Sequence, residues 1–293
     1  MIVNVRGTHG SGKTTISHRL INEHPHEALV EPAEFEGTST KKDGTVEPYL
    51  KRFKKANAHR IPGAPGSTDL IIVGRYQSGC DGILPQEIIE DMLRYWAPQG
   101  HLVWENVLVS ANVGRWGRLE TELREAGNPS VWAHLDTPAD VCLARVEARR
   151  EAAKAEGFHH RQVETKHNVH MAHWKRCRRA ACYAKRDHGI DVRWIKYELA
   201  YEMVHDLLVH NGWQCPVHGL LLPEGPWLTA WQPTPEELEY TVKTCLFPGE
   251  PQPETSFARV RQAKPTALGV AQAVTMPIQE FNPLAEIGDP FDS

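Results

Sequence analysis

Close to its amino terminus the chain carries the octapeptide Gly7-Thr8-His9-Gly10-Ser11-Gly12-Lys13-Thr14. This stretch matches every fixed position of the P-loop pattern, in which a glycine-rich turn is followed by Lys and then Ser or Thr. The apolar residues 2–5 before it have the pattern of a short buried strand, and residues 15–21 after it have that of a helix. A loop in this context favours phosphate binding, because its backbone N–H groups and the helix N-terminus both attract anions.

The same motif suggests which side chains hold ATP and Mg²⁺. Lys13 is expected to contact the β- and γ-phosphates, and Thr14 to place its hydroxyl on Mg²⁺. The predicted nucleotide ligands are Gly7, Thr8, His9, Gly10, Ser11, Gly12, Lys13, Thr14 and Thr15.

Composition places the chain among globular proteins of the cytoplasm. Of its 293 residues, 41% are hydrophobic and 24% charged. Its apolar runs fall short of the ~18 residues that a membrane helix needs, and the amino terminus has the pattern of a core strand rather than of a signal peptide. The six cysteines show no framework spacing, which is typical of reduced thiols.

Strand-like apolar runs alternate with helical patterns along the chain. This alternation predicts an α/β fold with a parallel sheet of five or slightly more strands and helices on both faces. Ligand chemistry is then expected at the carboxyl ends of the strands. The predicted strands are Ile2–Val5, Ala28–Val30, Leu70–Val73, Leu102–Trp104, Val131–Leu135 and Val192–Ile195, and the predicted helices span about 14–23, 85–96, 115–126, 138–156, 162–187 and 198–211.

The amino-acid composition of the sequence changes towards its carboxyl end. We predict a main domain over 1–212, a helical appendage over 213–247 and an acidic, Pro-rich extension over 248–293 that is extended or disordered in isolation. A helix is expected to start at Thr234 as N-cap, with Pro235 at its first position. Within the main domain, the basic insertion 35–67 is either a functional segment or partly helical.

Two carboxylates follow predicted strands. Glu31 comes after the second strand, where it can accept the proton of an attacking hydroxyl; the competing interpretation is a surface glutamate before a turn-forming proline. Glu105 ends a later apolar strand, where it can hold Mg²⁺ through water or orient a substrate; the alternative is a strand end in solvent.

Three arginines lie on the helix predicted after Thr137. Arg145 and Arg149 are one turn apart on one face, and Arg150 is a third, weaker candidate for a nucleotide contact. Arginines on a mobile lid can neutralise charge on a transferring phosphoryl group. The alternative is a solvated helix face with Arg–Glu pairs.

Together these segments resemble the deoxyribonucleoside kinase and thymidylate kinase superfamily over residues 1–212. Glu31-Pro32 is similar to its Glu-Pro motif, whose glutamate is the base, and Glu105-Asn106 to its acidic strand-end motif, in which an arginine usually stands where this chain has Asn106. The run from Thr137 to Arg145 is similar to the approach to its lid. The resemblance implies a P-loop kinase fold and transfer of the ATP γ-phosphate to a hydroxyl of a pyrimidine nucleoside-type substrate.

The segment 74–82, Gly-Arg-Tyr-Gln-Ser-Gly-Cys-Asp-Gly, resembles phage-encoded P-loop kinases that act on 5-hydroxymethyluracil already within DNA. By this resemblance Tyr76 stacks on a base and Asp81 hydrogen-bonds the acceptor or serves as an alternative base; a plain glycine-rich loop is the competing interpretation. A DNA partner in a host cytoplasm also fits two groups of basic residues, one within 41–60 and the other comprising Lys175, Arg176, Arg178, Arg179, Lys185 and Arg186, with Trp174 and Tyr183 among them.

Other functions stay open. One is a kinase of free deoxynucleosides or nucleotides; another is an ATP-dependent DNA-binding or packaging module, although no apolar strand ends in the Asp-Glu pair that would activate water. The histidine-rich stretch 159–173 favours a polar, pH-sensitive lid over a metal site, because converging ligands are missing from the pattern. Cys215 and His218 form only half of a metal-binding pattern.

Overall fold

Strands and helices alternate along the residues described by the computed structural model, which are 1–30, 34–41, 43–76, 86–106, 109–155 and 167–250. All six predicted strands are present, with ends that differ from the prediction by one residue at most. The strands are β1 (Ile2–Arg6), β2 (Glu27–Leu29), β3 (Glu34–Thr40), β4 (Val46–Arg52), β5 (Ala58–Ile61), β6 (Leu70–Val73), β7 (His101–Glu105), β8 (Ser130–Asp136) and β9 (Asp191–Lys196).

The predicted helices are also present. Within the described residues the ends of the first six differ from the prediction by two residues at most, and residues 162–166 of the fifth predicted helix lie outside the described residues. The last begins with Thr234 as N-cap and Pro235 at its first position, as predicted, and the Thr234 hydroxyl accepts from the backbone N–H of Glu237 in a capping box. The helices are α1 (Lys13–Glu23), α2 (Gln86–Trp96), α3 (Gly114–Glu125), α4 (Ala139–Ala155), α5 (His167–His188), α6 (Ala200–His210) and α7 (Pro235–Thr244).

Seven strands form the main sheet, in the order β2-β5-β6-β7-β1-β8-β9. The five strands from β6 to β9 in that order are parallel, as predicted, whereas β5 runs antiparallel to both of its neighbours. Strand β1 therefore lies inside the parallel part, with β7 on one side and β8 on the other. The carboxyl ends of these strands meet at one edge, and the glycine-rich loop leaves β1 at that edge.

Helices cover both faces of the sheet, which confirms the prediction. On one face, Ile16 of α1 and Leu207 of α6 pack with Val3 and Val5 of β1. On the other face, α2, α3 and α5 enclose a core that includes the fully buried Trp104, Trp116 and Trp132. Aromatic side chains of this size bury about 150–250 Å² each, so they contribute much of the apolar area that stabilises the domain.

The basic insertion consists of strands in the part that the structure describes. Strands β3 and β4 pair as a separate antiparallel hairpin, and β5 then enters the main sheet between β2 and β6. The prediction that the insertion is partly helical is therefore wrong. The physical reason lies at the hairpin's base, where Phe35 packs edge-on against Phe53 with ring centroids 5.6 Å apart and anchors the two strands.

The segment after α6 is fastened to the body by a buried arginine. Arg178 of α5 is 1% exposed and bonds Asp136 at 3.1 Å and Glu250 at 2.9 Å. Its guanidinium also packs on the rings of Trp174 and Phe247. Residues 1–253 cluster as one unit, and the C-terminal extension beyond residue 250 lies outside the described residues.

Candidate active site

The glycine-rich loop adopts a conformation that its glycines make possible. Gly12 caps α1 with φ +103°, in the left-handed region that glycine occupies without strain. Gly10 has φ +78°, and a Cβ there would lie 2.3 Å from the carbonyl oxygen of Cys142. The loop thus needs glycine at position 10 both for its backbone angle and for the close approach of α4.

Lys13 is held at the centre of this loop. Its Nζ donates to the carbonyl oxygens of Gly7 at 3.0 Å and Thr8 at 2.9 Å, and the side chain is buried. An ammonium group at this position offers a positive charge to any anion that enters the loop. The structure therefore brings the predicted phosphate-binding lysine to the mouth of the predicted phosphate-binding loop.

The two predicted magnesium ligands touch each other. The Thr14 hydroxyl donates to Oε1 of Glu105 at 2.6 Å. Glu105 is the last residue of β7 and pairs in register with Val5 of β1, so the sheet itself sets this contact. The glutamate is 3% exposed, which contradicts the alternative that it is a strand end in solvent.

Arginines of α4 border the loop from the other side. Arg145 Nη1 donates to the Gly10 carbonyl at 3.3 Å, and Arg149 Nε donates to the Arg145 carbonyl at 3.4 Å. Both side chains line the cleft beside Lys13, whereas Arg150 is not among the described residues that line it. The predicted pair is brought to the site, and the third arginine is not.

A cleft of about 660 Å³ opens between the loop, α4 and the start of α6. This volume lies within the range of ligand sites, about 300–1,000 Å³. Its far wall contains groups that sequence reasoning missed. Arg19 of α1 packs 3.6 Å over the ring of Tyr201, and Tyr197 lies 5.5 Å from the Arg145 guanidinium. No motif marks these residues; only the fold places the end of β9 opposite α4.

Hydrogen bonds from the segments that follow β7 and β8 hold the glycine-rich loop in place. Ser110 accepts from the Gly7 N–H at 3.2 Å and donates to the Asn106 carbonyl at 3.0 Å. Thr137 donates its hydroxyl to the Ser11 carbonyl at 2.9 Å. These partners follow β7 and β8, so the loop is fixed by the two strands that flank β1.

A buried arginine stands directly before the loop. The Arg6 guanidinium lies 3.5 Å over the ring of Trp132 and donates to the Val109 carbonyl at 2.7 Å. Complete burial lowers its pKa to about 9, although the charge of Glu120 opposes that shift. The sequence does not predict a role for Arg6, because in a sequence a buried arginine at a strand end looks the same as an exposed one.

Two histidines pack beside the loop. His173 of α5 bonds Thr8 Oγ1 at 2.7 Å, and its ring centroid lies 5.3 Å from that of His9. Burial, assisted by nearby cations, lowers the pKa of His9 to about 4 and that of His173 to about 3. His173 therefore contacts the loop as a neutral ring near pH 7, whereas His159 and His160 of the histidine-rich stretch lie outside the described residues, and the pH-sensitive lid stays a prediction.

Both candidates for the catalytic base, Glu31 and Asp81, lie outside the described residues. The strands that lead to them are described. Strand β6, which precedes Asp81, is next to β7 and two strands from β1, whereas β2, which precedes Glu31, is at the sheet edge and four strands from β1. Tyr76, predicted to stack on a base, is instead 5% exposed and packs in the core.

The predicted DNA-contacting surfaces are less basic than the sequence indicates. In the insertion, Lys41 pairs with Glu47 and Arg52 with Glu34. In the second group, Arg178 is buried, as is Trp174, whose indole donates to the Thr137 carbonyl. The prediction is wrong for Arg178 and Trp174, which the helical spacing of α5 turns towards the core, whereas Arg176 and Arg186 of the same group are exposed.

A parallel α/β sheet whose central strand leads into a glycine-rich loop, with a buried lysine and an acidic strand end beside it, has the architecture of a phosphotransferase. No family model matches the chain. Two proteins similar to it are named 5-hmdU DNA kinase. That of Pseudomonas phage PaMx11 is 28% identical over 181 residues, covering 60% of this chain and 84% of the relative. That of Pseudomonas phage M6 is 28% identical over 150 residues, covering 50% and 71%.

These similarities confirm the resemblance to phage-encoded kinases and the phosphotransferase class that the sequence predicts. None of the described helices is long and apolar enough to cross a membrane.

Proposed function

We propose that the protein is a P-loop kinase that transfers the γ-phosphate of ATP to the hydroxymethyl group of 5-hydroxymethyluracil within DNA. The observation that carries the proposal is the convergence of Lys13, the Thr14–Glu105 pair and Arg145 on one cleft at the carboxyl edge of the sheet. The names of the two phage relatives support the acceptor. On this proposal the protein acts in the cytoplasm of the phage's host.

The donor end of the site fits ATP with Mg²⁺. Thr14 and Glu105 offer a hydroxyl and a carboxylate oxygen, the hard oxygen ligands that Mg²⁺ prefers. When bound, the ion would offset negative charge on the β- and γ-phosphates. Lys13 would exchange its bonds with the Gly7 and Thr8 carbonyls for bonds to phosphate oxygens. Arg145 and Tyr197 both line the cleft, where they offer a cation and an aromatic ring to an adenine base.

In the transfer step the acceptor's hydroxymethyl oxygen bonds to the γ-phosphorus. The bond from that phosphorus to the β,γ-bridging oxygen breaks, ADP leaves, and the hydroxyl proton passes to a carboxylate. Arg149 of α4 lines the cleft and would offset the charge that gathers on the transferring group.

Sheet topology favours Asp81 over Glu31 as that carboxylate. Neighbouring strands lie about 4.8 Å apart, so β6 is ~10 Å and β2 ~19 Å from β1. Glu31 follows the last residue of β2 by two positions, a span of at most ~7 Å. Asp81 follows the end of β6, the strand next to the one that carries Glu105. We therefore propose Asp81 as the base and keep Glu31 as the alternative.

The acceptor is tested with labelled ATP. Matched duplexes, one containing 5-hydroxymethyluracil and one containing thymine, are incubated with enzyme alongside the free 5-hydroxymethyl nucleoside and nucleotide. We expect label in the modified duplex alone, and none with Lys13→Ala. Label only in the free compounds would replace the proposal with a nucleoside or nucleotide kinase. DNA-stimulated release of phosphate with no labelled acceptor would replace it with an ATP-driven DNA-binding module.

The base is tested by two isosteric changes. Asp81→Asn should lower kcat by about 10²–10⁴-fold, the usual contribution of general-base catalysis, while Glu31→Gln should change it little. If Glu31→Gln lowers kcat more than Asp81→Asn does, Glu31 would be the base instead, and the assignment of the acceptor would not change.

A further inference from the structure

A cluster of histidine and cysteine lies at the opposite end of α1 from the glycine-rich loop. His24 follows the last turn of α1, His205 is in the middle of α6, and Cys215 is in the segment after α6. One ligand atom from each of the three lies within 4.8 Å of the others. His24 Nε2 is 3.2 Å from Cys215 Sγ. The eleven residues of α1 put about 16 Å between this cluster and Lys13.

In both histidine rings Nδ1 already has a hydrogen-bond partner, which leaves Nε2 to face the cluster. His24 Nδ1 bonds the Leu20 carbonyl at 2.9 Å, so Nε2 faces Cys215. His205 Nδ1 bonds Asp206 Oδ1 at 3.1 Å. Its Nε2 is buried and has no hydrogen-bond partner within the described part of the chain. A histidine held by a carboxylate or carbonyl through one nitrogen is the usual arrangement of a metal ligand.

The turn after Cys215 brings a fourth candidate ligand to the cluster. The backbone N–H of His218 donates to Cys215 Sγ at 3.3 Å, so the Cys-Pro-Val-His turn closes on the sulfur. The His218 ring centroid lies 6.0 Å from that of His24 and 6.3 Å from that of His205. The imidazole of His218 therefore lies next to both of the other rings.

We propose that His24, His205, Cys215 and His218 bind one structural Zn²⁺. Bond lengths of about 2.0–2.1 Å to nitrogen and 2.3 Å to sulfur around a tetrahedron separate ligand atoms by roughly 3.3–3.8 Å. The ligand atoms of His24, His205 and Cys215, which lie within 4.8 Å of one another, require adjustments of about an ångström, and the His218 ring would turn towards them to complete the site. Binding releases the thiol proton of Cys215 to solvent, and one thiolate with three neutral imidazoles completes a closed site with no open position for a substrate.

The ion would fasten the segment after α6 to α1. Asp206, which holds His205, also accepts the backbone N–H groups of Leu221 and Leu222 at 2.8 and 2.9 Å. One carboxylate therefore links His205 of the cluster to the far end of the loop between α6 and residue 222. Since the ligands come from α1, α6 and this loop, zinc would stabilise the body beneath the candidate active site without taking part in its chemistry.

The test is the metal content of untagged, full-length protein prepared with zinc and dialysed, measured by mass spectrometry. We expect one zinc per chain in the wild type, loss of it in Cys215→Ser, and retention in His210→Ala, an exposed histidine on the same helix. Asp206→Asn should weaken zinc binding by about 10–100-fold, as other changes to a ligand's partner do. Circular dichroism shows whether each variant folds.

A measurement on the wild type alone keeps the proposal testable even if the variants fail to fold. Metal-free protein titrated with Co²⁺ should gain the intense visible bands of a tetrahedral ion and a sulfur-to-cobalt charge-transfer band, and added Zn²⁺ should abolish both. Zinc-free wild-type protein without these bands would overturn the proposal, as would full zinc content in Cys215→Ser; the cluster would then be a hydrogen-bonded contact only. Neither outcome depends on kinase activity.

Discussion

The contact between Thr14 and Glu105 gives the sharpest test of the candidate site. The hydroxyl donates to a buried carboxylate at 2.6 Å, and a hydrogen bond to a charged group contributes about 1.5–3 kcal/mol. If both groups hold Mg²⁺ in the transition state, Thr14→Ala should lower kcat/KM by roughly 10- to 150-fold. Glu105→Gln keeps the shape but removes the charge, and should lower kcat/KM similarly and raise the Mg²⁺ concentration required.

The assay is the initial rate of transfer from labelled ATP at increasing Mg²⁺. Thr14→Ser is the matched control, because it keeps the hydroxyl and should stay close to wild type. The double variant should lose little more than either single one, since residues that act as a unit are not additive. A Glu105→Gln enzyme with unchanged Mg²⁺ dependence, or fully additive losses, would refute the reasoning.

Three further changes test the structure around the site. Gly10→Ala places a Cβ 2.3 Å from a carbonyl oxygen and should abolish ATP binding in a fluorescent-nucleotide titration. Gly44→Ala, which has the same sign of φ and open space around it, should cost only about 1–2 kcal/mol of stability. Arg178→Ala leaves two carboxylates without their buried partner and should lower the free energy of unfolding in urea by about 3–5 kcal/mol, whereas Arg186→Ala, an exposed surface pair, should leave it unchanged. Burial lowers the pKa of His134 to about 3 from 6.5, so the unfolded chain takes up a proton that the folded chain does not; stability should fall as pH drops below about 6.5, by roughly 2 kcal/mol at pH 5, and His134→Gln should remove that part of the slope.

The sequence predicts those features that depend on neighbours along the chain. The loop, its strand and its helix are predicted from the fixed positions of the octapeptide 7–14 and the apolar residues that flank it. Thr234 and Pro235 mark a helix start that the structure contains. The meeting of Thr14 with Glu105 is predicted because parallel strands share a carboxyl edge.

What the sequence does not predict depends on packing between distant segments. Arg178 belongs to a run of cations that looks like a DNA-binding surface, but Asp136 and Glu250, distant in the chain, make burial of its charge possible. Tyr76 belongs to a glycine-rich segment of the kind that lets a ligand approach, but its ring packs in the core. Cys215 and His218 form only half of a metal-binding pattern in the sequence, and it is the packing of α1 and α6 that brings His24 and His205 beside Cys215.

The identity of the base shows how strand order can separate residues that a linear motif places together. In the resemblance to nucleoside kinases, Glu31 follows the second strand in the chain. Here the hairpin and β5 are inserted after that strand, and β5 takes a place in the sheet between β2 and β6. The strand beside β7 is therefore β6, the one that leads into Asp81. On our proposal that Asp81 is the base, the catalytic role follows the strand beside β7 and lies with the segment 74–82, whose resemblance is to kinases of modified DNA.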